Sequence, residues 1–192
     1  MAKVAMGTGT TASELAKVLS VMESVSSASR DSLLSQIETN RQLIEQAGLA
    51  PGDIFKDIAD NAEHFAQFAR QGSDSLLRAA IGAKKLGLNM SAVASIAESL
   101  LDFESSIENQ LTASLLLGRQ INLDRARQLA ITGDTESMMQ EILRQVGGEA
   151  EFNRLNVIQR KALADSVGVN VEQLSRLVRN NAATAGAGIG AV

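Results

Sequence analysis

Three groups of residues in this chain carry side chains able to do chemistry. His64, the single histidine, falls on a helical pattern beside Asp60 and Glu63. A histidine among carboxylates can begin a metal site or serve as a general base. Zinc needs three or four ligands and catalysis needs a partner nucleophile, and neither stands nearby, so a solvent-facing helical histidine is the simpler reading. Asp102, Glu104 and Glu108 form a carboxylate cluster. Carboxylate metal bundles draw matched Glu and His from facing helices, and no such set is legible. Glu104 stands at the edge of an apolar stripe, where pairing with Arg119, Arg125 or Arg127 explains it better than a functional acid does. The run Gly186-Ala187-Gly188-Ile189-Gly190 hints at a phosphate loop but lacks both the preceding strand and the closing Lys-Ser/Thr. No catalytic, cofactor-binding or metal-ligating residue is assigned, and no cofactor or enzymatic activity is expected.

One stretch could read nucleic acid. Residues 163 to 178, LADSVGVNVEQLSRLV, fit a helix-turn-helix, with Ala164 four before Gly168 and Leu174 and Leu177 as core positions of a recognition helix. Gln173, Arg176, Arg179 and Asn180 would then face DNA. Against this, the same corner chemistry recurs where no recognition helix is plausible. The basic residues of 151–180 (Arg154, Arg160, Lys161, Arg176, Arg179) barely outnumber the acidic Glu151, Asp165 and Glu172, a thin margin for phosphate binding.

The elements that would position these residues are helices. Val93, Ile96, Leu100, Phe103, Ile107, Leu111 and Leu115 share one stripe when the chain advances about 100° per residue, which predicts one long amphipathic helix over 90–117, ending at Gly118. Before it, Leu15, Val18, Met22 and Val25 mark a narrow seam that Ser24, Ser26, Ser27, Ser29 and Ser32 dilute before Leu33, Ile37 and Ile44 resume, so a bend near residue 28 is expected. Ile54, Ile58, Phe65 and Ala69, flanked by Phe55 and Phe68, predict a helix over 51–70. Leu77, Ala80 and Ile81 predict one over 73–86 with Ser73 as cap. Asp134 should cap a helix carrying Met138, Met139, Ile142, Leu143 and Val146, ended by Gly147-Gly148. Shorter helices follow at 156–167 and 171–179.

The junctions share one chemistry. Asn170 can cap, Gln173 can close a capping box, and Val169 can staple onto Leu174. Leu88-Asn89 with Val93 and Ile121-Asn122 with Ala126 repeat the frame, and Pro51 suits a first helical position after Leu49-Ala50. Gly48, Gly87 and Gly168 each precede the staple residue, as left-handed helix ends require. The corners are too unevenly spaced for a solenoid, and no strand pattern is present.

Composition narrows the classes further. The 192 residues are 45% hydrophobic and 21% charged, with no Cys, Trp or Tyr, five Phe and a net charge of −4. That suits a folded, soluble chain without disulfides or thiolate metal sites. It supplies no aromatic platform for bases, and no run approaches the roughly 18 apolar residues of a membrane helix. The opening MAKVAMGTGT lacks the apolar core of a signal peptide.

The DFESSI-to-LLLG stretch (102–118), the INLDRAR corner (121–127), the GD-capped helix at 133–134 and the run FNRLNVIQRKALA (152–164) together resemble a segment of the tail tape measure proteins of tailed bacteriophages, over roughly Ser73 to Val178. The resemblance implies a structural, non-enzymatic virion protein that occupies the tail tube lumen, sets tail length and takes part in genome injection, after being made in the host cytoplasm. It implies tail tube, baseplate or tail chaperone proteins as partners, self-association through helices, and no small-molecule substrate. Because such proteins are much longer, it also implies a fragment, with membrane contact only through segments beyond Val192. A helix-turn-helix DNA-binding regulator using residues 157–180 is the alternative reading, and a helical adaptor or scaffold is the second.

The expected architecture is all-α, a bundle of about eight helices around one long central helix. Residues 1–12 are expected as a flexible leader, 13–47 as an N-terminal long helix with the bend near 28, 48–180 as a helical domain, and 181–192 as a Gly/Ala-rich flexible tail.

Overall fold

The computed structural model describes residues 2–61 and 73–187. Among them every regular element is helical: α1 (Ala2–Thr8), α2 (Ala12–Val25), α3 (Arg30–Gln46), α4 (Pro51–Asp60), α5 (Ser73–Lys85), α6 (Met90–Leu101), α7 (Phe103–Leu117), α8 (Asp124–Thr132), α9 (Thr135–Val146), α10 (Glu149–Arg154), α11 (Val157–Val167) and α12 (Val171–Ala187). The all-α expectation holds, with twelve helices described in place of about eight. None is long and apolar enough to cross a membrane. His64, Phe65, Phe68 and Ala69 lie outside the described residues.

The chain forms two compact units, one comprising residues up to Lys84 with Asn89–Ser91, the other Lys85–Leu88 with Ala92 onward. The first unit takes in the Gly48 corner and α4. The reason lies in packing: α2 lies against both α3 and α4, so the Gly48 corner folds α4 back onto the N-terminal helices.

In the first unit, Leu15, Val18, Leu19 and Met22 of α2, Leu33, Ile37 and Ile44 of α3, and Ile54, Phe55 and Ile58 of α4 are fully buried. The residues read as a loose leader include α1, which packs on α2 and α3. Thr11 and Glu14 close a capping box at the start of α2: the Glu14 N–H donates to Thr11 Oγ1 at 3.1 Å, and the Thr11 N–H to Glu14 Oε2 at 2.8 Å. The Ser-rich stretch breaks the helix where the bend was expected. Ser26 Oγ donates to the Met22 carbonyl (2.9 Å) as α2 ends, and Ser29 Oγ accepts from the Ser32 N–H (3.3 Å) as α3 begins. Hydroxyls that compete for backbone groups favour such ends over helix interiors. Pro51 occupies the first turn of α4 after Ala50, as expected. From α4, Asp57 accepts from the Met90 N–H (2.9 Å), satisfying one orphan donor at the start of α6, and from Asn61 Nδ2 (2.8 Å). Burial raises the Asp57 carboxyl above its ordinary value despite these donors.

In the second unit the expected single helix over 90–117 is two helices. α6 ends at Leu101, and Asp102, at φ −76° and ψ 82°, leaves helical geometry before α7 begins. The ladder changes hands there, since the Asp102 N–H still donates to Glu98 while its carbonyl accepts from Ser106 (2.9 Å). The stripe divides at the same place. Val93, Ile96 and Leu100 are buried, but Phe103, Ile107, Leu111 and Leu115 are exposed, and α7 turns Ser106 and Ala113 inward instead.

α7 runs antiparallel to α11: Asn109 Nδ2 donates to the Asp165 carbonyl (3.4 Å) and Gln159 Nε2 to the Leu116 carbonyl (3.0 Å). Small residues on both buried faces, Ser106 and Ala113 against a helix burying Ala162, Ala164 and Ser166, permit close packing. α9 packs on α8 and α12, and α10 and α11 also meet α12. Asn156 with Gln159 and Asn170 with Gln173 form reciprocal capping boxes, while Asp134 caps α9 by accepting from the Ser137 N–H (3.1 Å). The Asn122 corner differs from its expected frame. Leu123, not Asn122, is the N-cap of α8, and Asn122 Oδ1 instead accepts from the Asp124 N–H (2.9 Å), a turn two residues long. Ser73, expected as a cap, is the first residue of α5. α12 continues to Ala187 and takes in the first part of the expected flexible tail.

Candidate interaction surface

The residues first singled out for chemistry do not converge. Asp102 accepts from Ser105 Oγ (2.8 Å), and Glu104 and Glu108 face solvent on α7. The three arginines expected near Glu104 pair elsewhere: Arg119 with Glu151 at 3.0 Å, Arg125 with Glu141 at 3.9 Å, and Arg127 with Asp124 at 2.7 Å. Among the described residues no group of three His, Cys, Asp or Glu is placed to hold a metal ion.

The helix-turn-helix candidate has its corner but has committed several of the side chains it would offer to DNA. Gln173 closes the Asn170 box, Arg176 pairs with Glu172 at 2.6 Å, and the Asn180 side chain lies against Gly87. Leu174 and Leu177 are fully buried, and Arg179 is exposed.

What the second unit builds with care is the placement of α7. Arg127, only 3% exposed, donates Nε–H to Ser106 Oγ (3.0 Å) and Nη2–H to the Ser106 carbonyl (3.2 Å) and Gln110 Oε1 (2.8 Å). Gln110 Oε1 also accepts from the Leu123 N–H (2.9 Å), and Ser114 Oγ accepts from the Ile121 N–H (3.0 Å). A planar guanidinium with five donors can hold such a fork of acceptors, which a lysine cannot. The 118–123 corner is thereby fastened along one side of α7. Arg119 fastens the far end, donating to the Gln145 and Val146 carbonyls (both 2.9 Å) and so satisfying acceptors that α9 leaves open. Next to it the nearly buried Glu141 accepts from Arg144 (2.7 Å) and Gln145 (3.1 Å). The Arg144 hydrogen bond, outweighing burial, holds its carboxyl below the ordinary value.

With one side against α11 and another fastened to the α8 corner, α7 presents its remaining face outward. Phe103 is 48% exposed, Ile107 45%, Leu111 57% and Leu115 82%. Leu111, Ser114, Leu115 and Gly118 line part of an open groove of ≈ 390 Å³. Val157 and Ile158, also exposed, begin α11 directly before Gln159, whose amide is tied to Leu116. Sequence reasoning listed the α7 residues as core, and missed Arg127 as a buried anchor. The signal for the anchor was present in the Asp124–Arg127 spacing of the INLDRAR corner. No family model, curated protein or solved structure matches the chain.

Proposed function

We propose that this chain is a helical segment of a phage tail tape measure protein, a structural component that works by contact and not by catalysis. The observation carrying the proposal is the patterned resemblance over Ser73–Val178, which coincides largely with the second compact unit. Its recognised motifs are the ones that build the unit: DFESSI-to-LLLG is α7, INLDRAR supplies the Arg127 anchor, and FNRLNVIQRKALA supplies α11. A compact unit whose helices double back adds little length to a tail, so the region serves as a contact domain for tube, baseplate or chaperone proteins.

In-frame deletion of residues 73–180 from the phage gene, followed by electron microscopy, tests this. Assembly or injection should fail while tail length changes little. Intact, infectious virions with tails shorter by about 160 Å, the full helical rise of the deleted residues, would show a plain spacer. The α11–α12 corner supports the regulator as a second reading; a DNA site bound tightly at physiological salt and lost in Arg176→Ala/Arg179→Ala would favour it.

A further inference from the structure

The outward face of α7 carries a row that the chain's own packing leaves open. Phe103, Ile107, Leu111 and Leu115 succeed one another every four residues, about 6 Å apart along the helix, making a row roughly 18 Å long. At one end a groove lined by Leu111, Ser114, Leu115, Gly118 and Arg119, whose guanidinium is paired with Glu151, offers a recess for a single larger side chain.

Charge selects the occupant. From Phe103 to Leu117 the only charged residues are Glu104 and Glu108, and there is no Lys or Arg. Both glutamates are exposed, and neither has an ion-pair partner among the described residues. At 100° per residue they fall on the same edge of the row, Glu104 next to Ile107 and Glu108 next to Leu111. A second copy of this chain fits that edge poorly. A twofold axis that pairs two α7 rows antiparallel keeps both acidic edges on the same side, so glutamate meets glutamate. A parallel pair sets each acidic edge against the uncharged Gln110–Ser114 edge. A helix with an apolar stripe bordered by Lys or Arg satisfies both the row and its edge.

We infer that α7 is a docking face for an amphipathic partner helix whose apolar stripe is flanked by basic residues. The inference stands on this face alone and is independent of the tail assignment. Groove and row supply the affinity, and Glu104 and Glu108 supply orientation and choice of partner.

The test uses the whole 192-residue chain and two fluorescent synthetic helical peptides, one Leu/Lys and one Leu/Glu, of the same amphipathic pattern. The Leu/Lys peptide should bind saturably and weaken as salt rises, and the Leu/Glu peptide should not bind. Leu111→Ser with Leu115→Ser should lower affinity by about tenfold or more. Glu104→Lys with Glu108→Lys should reverse the preference towards the Leu/Glu peptide. Glu136→Lys, on the exposed side of α9, should leave the preference unchanged. Absence of saturable binding overturns the inference. So does an effect of Glu136→Lys equal, per substituted residue, to that of Glu104→Lys with Glu108→Lys, which would mean general attraction of a cationic peptide to an acidic protein. Sedimentation showing a dimer that Leu111→Ser dissolves would assign the face to a second copy and overturn it as well.

Discussion

Arg127 donates its Nε–H to Ser106 Oγ at 3.0 Å across the α7–α8 junction, with both side chains buried. The same guanidinium meets the Ser106 carbonyl and Gln110, so its loss removes two buried hydrogen bonds at Ser106 and leaves Gln110 Oε1 with the Leu123 N–H alone. Arg127→Ala is expected to cost about 2–4 kcal/mol, from the vacated volume together with the lost hydrogen bonds. Arg127→Lys should recover less than half of that, because a point ammonium cannot serve the fork. Urea denaturation of both variants measures the difference, and a lysine variant as stable as the wild type would mean that the geometry of the fork is immaterial.

The two halves of the former stripe should respond in opposite ways to the same change. Leu100 is fully buried on α6, so Leu100→Asp inserts an unpaired carboxylate and should cost more than about 3 kcal/mol. Ile107 is 45% exposed on α7, and Ile107→Asp should cost no more than about 1 kcal/mol. Thermal melts of the pair decide whether the chain truly turns at Asp102: similar losses for both would mean one continuous buried stripe.

Acid should reveal the Glu141 network. Hydrogen bonding from Arg144 places the folded carboxyl below its ordinary value of 4.5. A depressed folded value contributes stability that is fully present above 4.5 and is lost as pH falls through the folded value. The stability gap between wild type and Glu141→Gln should therefore be widest near neutral pH and close progressively below about pH 4.5. A gap independent of pH from 7 down to about 3 would mean that Glu141 contributes by packing alone.

Gly168 and Gly48 both sit at positive φ, +82° and +74°, yet only Gly168 is crowded, since a Cβ there would strike the Ser99 side chain. Gly48→Ala should cost about 1 kcal/mol for its backbone alone, and Gly168→Ala more. Ser99→Gly should couple energetically to Gly168→Ala and not to Gly48→Ala. A double-mutant cycle reads this directly.

Much of this fold is written in its corners. Asn170 with Gln173, Asp134 and Pro51 act at the helix ends where their short-range chemistry put them, because a cap depends on residues within one turn of itself. The break at Asp102 was not legible for the converse reason. Leu100, Phe103 and Ile107 keep helical spacing through it, and neither Gly nor Pro marks it. Nor could spacing tell that the stripe changes from buried to exposed. Periodicity records that a helix has an apolar side; which side a neighbour covers is decided by residues far away, here the small Ala162, Ala164 and Ser166 of α11 and the guanidinium of Arg127. Asn122 was misplaced by one position because Leu123, fully buried, draws the chain inward before the helix starts.

The antiparallel seating of α11 on α7 has a consequence for the chain as it leaves the ribosome. Gln159, which donates to the Leu116 carbonyl, is 43 residues later in sequence. At roughly 5–20 residues per second of synthesis, α7 waits between about 2 and 9 seconds for the helix that covers its inner side. That inner side buries Ser106 and Ala113, whereas the outer row of Phe103, Ile107, Leu111 and Leu115 is not covered by α11 even in the finished fold. A basic helix that docks on that row can therefore engage the nascent protein before its own fold is finished, and act as an escort during synthesis as well as a partner afterwards.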